Sequence, residues 1–422
     1  MVLYPVQELD RKFIQRIKDA TKLKLLEKAT NGWKKSPGDF VIREVIFGDS
    51  TVTDVYDIEP KTAVTAGIPQ WAFDAADLTA DDLSSVVKAG EELDDGVWIG
   101  FYGYYDLSCE GSELTGAADT PVSSGPITAV EFVRGSSTLD FWKTEHLYGY
   151  NEAVGITDTP VIFEENEKID IKICSTEATE DKFAGLRGYI CEPYGRNIAP
   201  TLKPELRAMY NVDSVAQLGL EQQKEVVIRG GVDPVQELTP EQISRLYRKV
   251  KTTLYRMAVS EGKVSSIREA KEKYIIREFV AGDSSDATDF VDADQVAAVT
   301  TGEQNWIQAG SSFTAGDLGN VFASGQKVAD NKFVAIIGFA DTTPNSSLLE
   351  IAPADSSGNL DLWHVQHCYA YRDQVRGYTM RPTYWTQNSP LVLKMCFGVA
   401  RNHTVKPIML IMEEYGNVIS KT

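Results

Sequence analysis

The chain is written twice. Pro5-Val6-Gln7-Glu8-Leu9 returns as Pro234-Val235-Gln236-Glu237-Leu238, and further matches follow in the same order. Val41-Ile42-Arg43-Glu44 with Gly48-Asp49-Ser50 returns as Ile275-Ile276-Arg277-Glu278 with Gly282-Asp283-Ser284. Ala63-Val64-Thr65 and Trp71 pair with Ala298-Val299-Thr300 and Trp306, and Ile99-Gly100-Phe101 pairs with Ile337-Gly338-Phe339. The longest match sets Leu139, Asp140, Trp142, His146, Tyr148 and Tyr150 against Leu360, Asp361, Trp363, His367, Tyr369 and Tyr371, with the same gaps. Lys172-x-Cys174 and Glu192-x-Tyr194-Gly195 then recur as Lys394-x-Cys396 and Glu413-x-Tyr415-Gly416. All offsets fall between 221 and 238. A collinear series at nearly constant spacing is the mark of a duplicated unit. Two homologous domains are therefore expected, 1–198 and 234–422, joined by 199–233. The joining segment lacks the Gly, Ser or Pro richness of a flexible tether. Its Pro204–Met209 and Gln222–Glu225 stretches read as short helices, so the two domains are expected to hold a set relation.

Each copy opens on a helical pattern. Thr239-Pro240-Glu241-Gln242 is a capping box with Pro at the first helical position, where its missing N–H costs nothing. Ile243, Leu246, Tyr247, Val250, Leu254 and Met257 follow at helical spacing, as Leu9, Phe13, Ile17, Ala20 and Leu25 do in the first copy. Beyond the Ile-Arg-Glu strand, the texture changes to short β-branched or alternating runs broken by Gly, Asp, Ser and Pro. Gly96–Tyr102, Ile127–Val133, Lys168–Ile173 and Leu391–Cys396 are examples. Many short strands at such spacing indicate an antiparallel sandwich or barrel. The expected fold is mainly β: two homologous tandem antiparallel β-sandwich (jelly-roll-like) domains, each preceded by an amphipathic α-helix. Leu78–Leu83 and Phe313–Leu318 add an expected short helix to each copy.

The repeated Trp/His/Tyr run is the arrangement that most resembles a site. If it is one strand, Trp142, His146 and Tyr148 share a face, as do Trp363, His367 and Tyr369. Such a face could stack on sugars, with Asp140 and Asp361 bonding hydroxyls, or it could be sandwich core with its polar atoms satisfied locally. Four histidines in the whole chain supply one His and one Asp per copy to this run, fewer than the ligands a metal site requires. Five cysteines without C-x-x-C spacing suggest neither zinc nor a disulfide framework. No phosphate-cradling glycine motif and no nucleophile-and-base pattern common to both copies is present, so no cofactor and no enzymatic activity are expected.

Charge is unevenly placed. The chain carries −19, yet residues 10–35 carry nine Lys/Arg against three Asp/Glu, and residues 241–273 nine against four. Arg11, Lys12, Arg16 and Lys18 on the first helix, and Arg245, Arg248, Lys249 and Lys251 on the second, are candidate contacts for an acidic neighbouring subunit or a packaged nucleic acid. A solvated helix face is the plainer account of the same charges. No signal-peptide pattern opens the chain, and no apolar run approaches a membrane span. In domain count, domain size and all-β texture, the chain resembles the double jelly-roll family of viral major capsid proteins. That resemblance implies tandem sandwiches that associate into pseudo-hexagonal blocks. The expected function is a structural, self-assembling capsid or coat subunit of a virion, with itself as partner and other structural subunits beside it, forming a shell or tube. A tandem carbohydrate-binding protein is the alternative.

Overall fold

The computed structural model describes residues 2–45, 70–71, 87–88, 92–106, 127–150, 152–175, 184–199, 203–212, 214–228, 230–279, 305–306, 322–323, 327–341, 348–371, 375–397 and 405–416. The expected helices at 78–83 and 313–318 lie outside them, as do Gly48–Ser50, Gly282–Ser284, Ala63–Thr65, Ala298–Thr300, Cys109 and His403.

The chain is mainly β, in several antiparallel sheets. Its first part runs β1 (Tyr4–Pro5), α1 (Arg11–Trp33), β2 (Phe40–Val45), β3 (Gln70–Trp71), β4 (Val87–Lys88), β5 (Glu92–Leu93), β6 (Trp98–Asp106), β7 (Ile127–Arg134), β8 (Ser137–Lys143), β9 (Ala153–Phe163), β10 (Asp170–Ser175) and β11 (Ala184–Pro193). The helices α2 (Pro204–Tyr210) and α3 (Leu220–Ile228) then occupy the joining segment. The second part runs β12 (Val232–Pro234), α4 (Pro240–Ser260), α5 (Ile267–Lys273), β13 (Tyr274–Phe279), β14 (Asn305–Trp306), β15 (Phe322–Ala323), β16 (Lys327–Val328), β17 (Phe333–Asp341), β18 (Leu348–Asp355), β19 (Gly358–Asn359), β20 (Trp363–His364), β21 (Val375–Trp385), β22 (Val392–Phe397) and β23 (Val405–Glu414).

Strand order is the same in the two parts. One sheet reads β1-β9-β6-β11-β2 and its counterpart β12-β21-β17-β23-β13; the other reads β3-β10-β7-β8 against β14-β22-β18-β19, with β20 also on β18. Register agrees as well. Gly103 faces Ile156 and Arg187, and Gly338 faces Tyr378 and Ile408, each at a bulge. A Cβ at Gly103 would meet the Gly155 carbonyl oxygen at 2.8 Å, and one at Gly338 would meet the Gly377 oxygen at 2.1 Å. Close backbone approach therefore demands glycine at both places. This pairing corrects the Ile-Gly-Phe match: Gly338 corresponds to Gly103, three residues beyond the Gly100 that the sequence aligned with it.

The leading helices cover the outer faces of the five-stranded sheets. Residues of β6 are buried from end to end because both faces are covered. Trp98, Tyr102 and Tyr105 pack with Ile14, Ile17 and Leu25 of α1, while Ile99, Phe101 and Tyr104 pack with Phe132, Trp142 and Ile171 of the opposite sheet. In the second part, Phe333, Ala335 and Ile337 meet Leu246, Val250 and Met257 of α4, and Val334, Ile336 and Phe339 meet Ile351, Trp363 and Trp385. Each such Val, Leu, Ile, Phe or Met side chain contributes about 1.5–3 kcal/mol by leaving water.

Local chemistry sets the helix ends. The Asp10 carboxylate accepts from the Lys12 amide at 2.7 Å to begin α1. At α4, Thr239 Oγ1 accepts from the Gln242 amide at 3.2 Å while Gln242 Oε1 accepts from the Thr239 amide at 2.8 Å, the expected capping box. The expected apolar face of the first helix needs correction. Ala20 is exposed and Leu9 precedes the helix, whereas Ile14, Ile17, Thr21, Leu25, Leu26 and Ala29 are buried, and Lys18 and Lys22 are buried with them.

Candidate assembly interface

The expected Trp/His/Tyr strand ends early. β8 stops at Lys143, and Glu145–Gly149 forms a 3₁₀ turn; in the second part β20 stops at His364, and Gln366–Ala370 forms the matching turn. Strand alternation therefore no longer governs His146, Tyr148, His367 or Tyr369. Trp142 and Trp363 are both 0% exposed and offer no ring face to a ligand. Trp142 lies edge-on to Phe132, at 4.5 Å between ring centroids. His146 is exposed and Tyr148 half-buried, while His367 and Tyr369 are buried.

The turn works as a clasp on three other segments. His146 Nε2 meets the Leu3 carbonyl at 2.8 Å, and His367 Nε2 meets the Val232 carbonyl at 3.0 Å. A carbonyl only accepts, so Nε2 carries the proton in both. The Tyr148 hydroxyl donates to Asp106 at the end of β6, and the Tyr369 hydroxyl donates to Asp341 at the end of β17. The Tyr150 hydroxyl donates to Glu8, and the Tyr371 hydroxyl donates to Glu237 at 2.5 Å. The two most distinctive repeated motifs thus meet: the last tyrosine of one holds the glutamate of the Pro-Val-Gln-Glu-Leu lead-in, and the histidine holds the backbone two residues before that lead-in. A second repeated pair supports the same sheet. Arg43 meets Glu192 at 2.7 Å and Arg277 meets Glu413 at 2.6 Å, joining β2 to β11 and β13 to β23.

The two clasps differ in what lies over them. Glu8 is exposed, and Glu237 is 0% exposed because the first part's α1 and β11 close upon it. Glu237 takes Arg187 through both oxygens, at 2.6 and 3.3 Å, and Lys18 at 2.5 Å. With Tyr371, four donors surround one carboxylate. Burial alone would raise the Glu237 pKa, but Arg187 and Lys18 hold it well below the usual range. Lys18 also meets Asp233 at 2.5 Å; burial works against its charge, and Asp233 and Glu237 more than offset that, so its pKa rises. Around this core, Lys22 donates to the Gly230 carbonyl at 2.6 Å and lies 4.5 Å from the Tyr189 ring, which stacks on Tyr102. The Tyr105 hydroxyl donates to Gln366. Away from the cluster, Arg381 donates to the Tyr194 hydroxyl at 2.7 Å and Lys203 meets Asp361 at 3.4 Å, so the two parts are tied at more than one place.

Glu44 makes this interface sensitive to pH. Its oxygens meet the Val232 amide at 3.4 Å and His367 Nε2 at 3.7 Å. Burial pushes its carboxyl up to about 8, against the pull of Lys18 and Arg187. His367 is held well below its ordinary value by burial and by nearby Arg187, and stays neutral. Between the ordinary 4.5 and about 8, the folded chain holds a proton on Glu44 that the unfolded chain has lost, so this group's contribution to stability falls as pH rises through that window. Glu44→Gln removes the fall. Its urea midpoint relative to the wild type is expected to improve from about pH 5 to about pH 8, and an unchanged difference contradicts the assignment.

The candidate basic contacts separate into distinct environments. Arg11, Lys12, Arg16, Arg245, Arg248 and Lys251 are exposed, and Arg11 donates to the Leu238 carbonyl at 2.5 Å, so the start of α1 abuts the start of α4. Lys249 is half-buried beside Glu205 and Arg381. Lys18 is a correction: it is 1% exposed and committed to Asp233 and Glu237, so it touches neither solvent nor a polyanion. Sequence reasoning missed Arg187 and Glu44. Among the described residues, no group of three or more His, Cys, Asp or Glu side chains is placed to hold a metal, and no helix is long and apolar enough to cross a membrane. No protein-family model matches the chain, and neither does any curated protein or solved structure.

Proposed function

We propose that the chain is a self-assembling structural protein, a capsid or coat subunit built from two copies of one jelly-roll-like sandwich and residing in a virion. Matching strand orders support the duplication, and each part has two facing sheets whose order suits a pair of Greek keys, the layout of jelly rolls in capsids and lectins. Burial of Trp142 and Trp363 removes the stacking platform on which a carbohydrate reading rested. The observation that carries the assembly reading is the asymmetry of the clasps. The second clasp is spent inside the chain on a buried ionic contact, while the first, with the same bonds, faces solvent. Contacts between unlike surfaces leave one of each unused, and further copies can fill them. Exposed lysines and arginines on α1 and α4 remain available to an acidic neighbour or a packaged nucleic acid. Purified protein is expected to form ordered particles in light scattering and electron microscopy across a range of salt and concentration. Persistent monomers would overturn the proposal.

A further inference from the structure

We infer that the outer face of the β12-β21-β17-β23-β13 sheet, beside α4, receives the Glu8–Tyr150 clasp of a second copy of this chain, repeating between subunits the contact that joins the two parts within one. The inference rests on the assembly reading and supplies its docking surface. Within the chain, the receiving face consists of Lys18, Tyr105 and Arg187, which bond the second clasp, with Tyr102 beside them, and all four are buried. The corresponding positions, by shared strand register and by the shared lead-in to each helix, are Tyr247, Ile337, Ala340 and Ile408. Ile337 is buried beneath α4, while Tyr247, Ala340 and Ile408 are half-buried and Glu278 beside Tyr247 is exposed, so the surface closed in the first part is only partly closed in the second among the described residues.

A cation waits on that open face. Arg376 pairs with Ala340 across β21 and β17, as Val154 does with Tyr105 across β9 and β6. Its guanidinium lies 5.0 Å from the Tyr378 ring, and Tyr247 meets the same ring edge-on at 6.3 Å. Arg376 Nε is buried without a hydrogen-bond partner, and among the described residues no carboxylate lies within ion-pair distance of this arginine. The cation that Arg187 supplies from β11 in the first part is thus supplied from the strand on the other side of the central one. The presenting clasp has the opposite sign. Glu8 and Glu145 are exposed there, and Glu8 has the Tyr150 hydroxyl beside it, as Glu237 has Tyr371. On the receiving side, Arg248 and Lys251 of α4 are exposed, one and four residues beyond Tyr247. Complementary charge of this kind sets partner choice and register. An unlike-surface contact of this type, repeated, closes a ring or extends a filament.

Sedimentation velocity on the full chain tests the pairing. Glu8→Arg, at an exposed position, and Arg376→Glu, at a half-buried one, with urea midpoints to verify that both fold, are each expected to weaken self-association at least about tenfold, because like charges then meet in the contact. The double variant restores the charge pair and is expected to associate within about threefold of the wild type. Single variants that associate as the wild type does place assembly on another surface and overturn this inference alone. Weakening by both singles without recovery in the double overturns the pairing. A monomeric wild type overturns the assembly reading and this inference together.

Discussion

Glu237→Gln is expected to destabilise the chain by about 3–5 kcal/mol, the cost of removing one partner from a buried ionic cluster, while Glu8→Gln leaves the unfolding midpoint unchanged. The two glutamates occupy the same place in the two Pro-Val-Gln-Glu-Leu lead-ins, and each accepts a tyrosine hydroxyl from its own clasp. Only Glu237 also neutralises Arg187 and Lys18 inside the protein. Removing its charge leaves Lys18 with Asp233 and Arg187 with no carboxylate partner of its own among the described residues, and a buried cation without its partner bears the full desolvation cost. Glu237 is depressed in pKa, so its contribution is present above the ordinary carboxylate value and is lost as pH falls through its folded value. Urea unfolding at neutral pH is the measurement, and equal midpoints for the two variants contradict the account of the interface.

Trp363→Ala is expected to cost about 3–5 kcal/mol, since a fully enclosed indole leaves a cavity when removed, and Trp142→Ala should behave alike. Both rings are closed off from solvent between the two sheets of their own part. The measured consequence is earlier unfolding and loss of soluble protein, with no selective loss of any ligand. A folded, stable Trp363→Ala variant that loses binding to a glycan would restore the carbohydrate reading and contradict the packing described here.

Strand content and helix starts were legible because they are local. Val, Ile, Phe and Tyr in short alternating runs mark β6, β7 and β10, and the Thr239–Gln242 box marks the start of α4. The repeat located the clasp residues without saying what they touch, because equal spacing in sequence is compatible with a strand or a turn. Glu145–Gly149 follows β8 too closely to be told apart by period alone. Composition places Lys18 among the surface charges, yet it and Lys22 fall within the stripe that Ile14, Thr21 and Leu25 define on α1. A lysine inside an apolar stripe signals a buried partner, and that partner, Glu237, lies more than 200 residues away. Arg187 carried no local signal at all. Its role follows from the packing of the second part on the first, which differs from anything within either part.

Electron microscopy of ordered assemblies shows whether one contact is used once within the chain and once between chains. Glu8 and Tyr150 of each subunit are expected to be covered by the α4 and β21 surface of the next, with Arg376 against Glu8, in the relation that Glu237 and Tyr371 bear to Lys18 and Arg187. An ordered assembly in which the Glu8–Tyr150 clasp still faces solvent would contradict it.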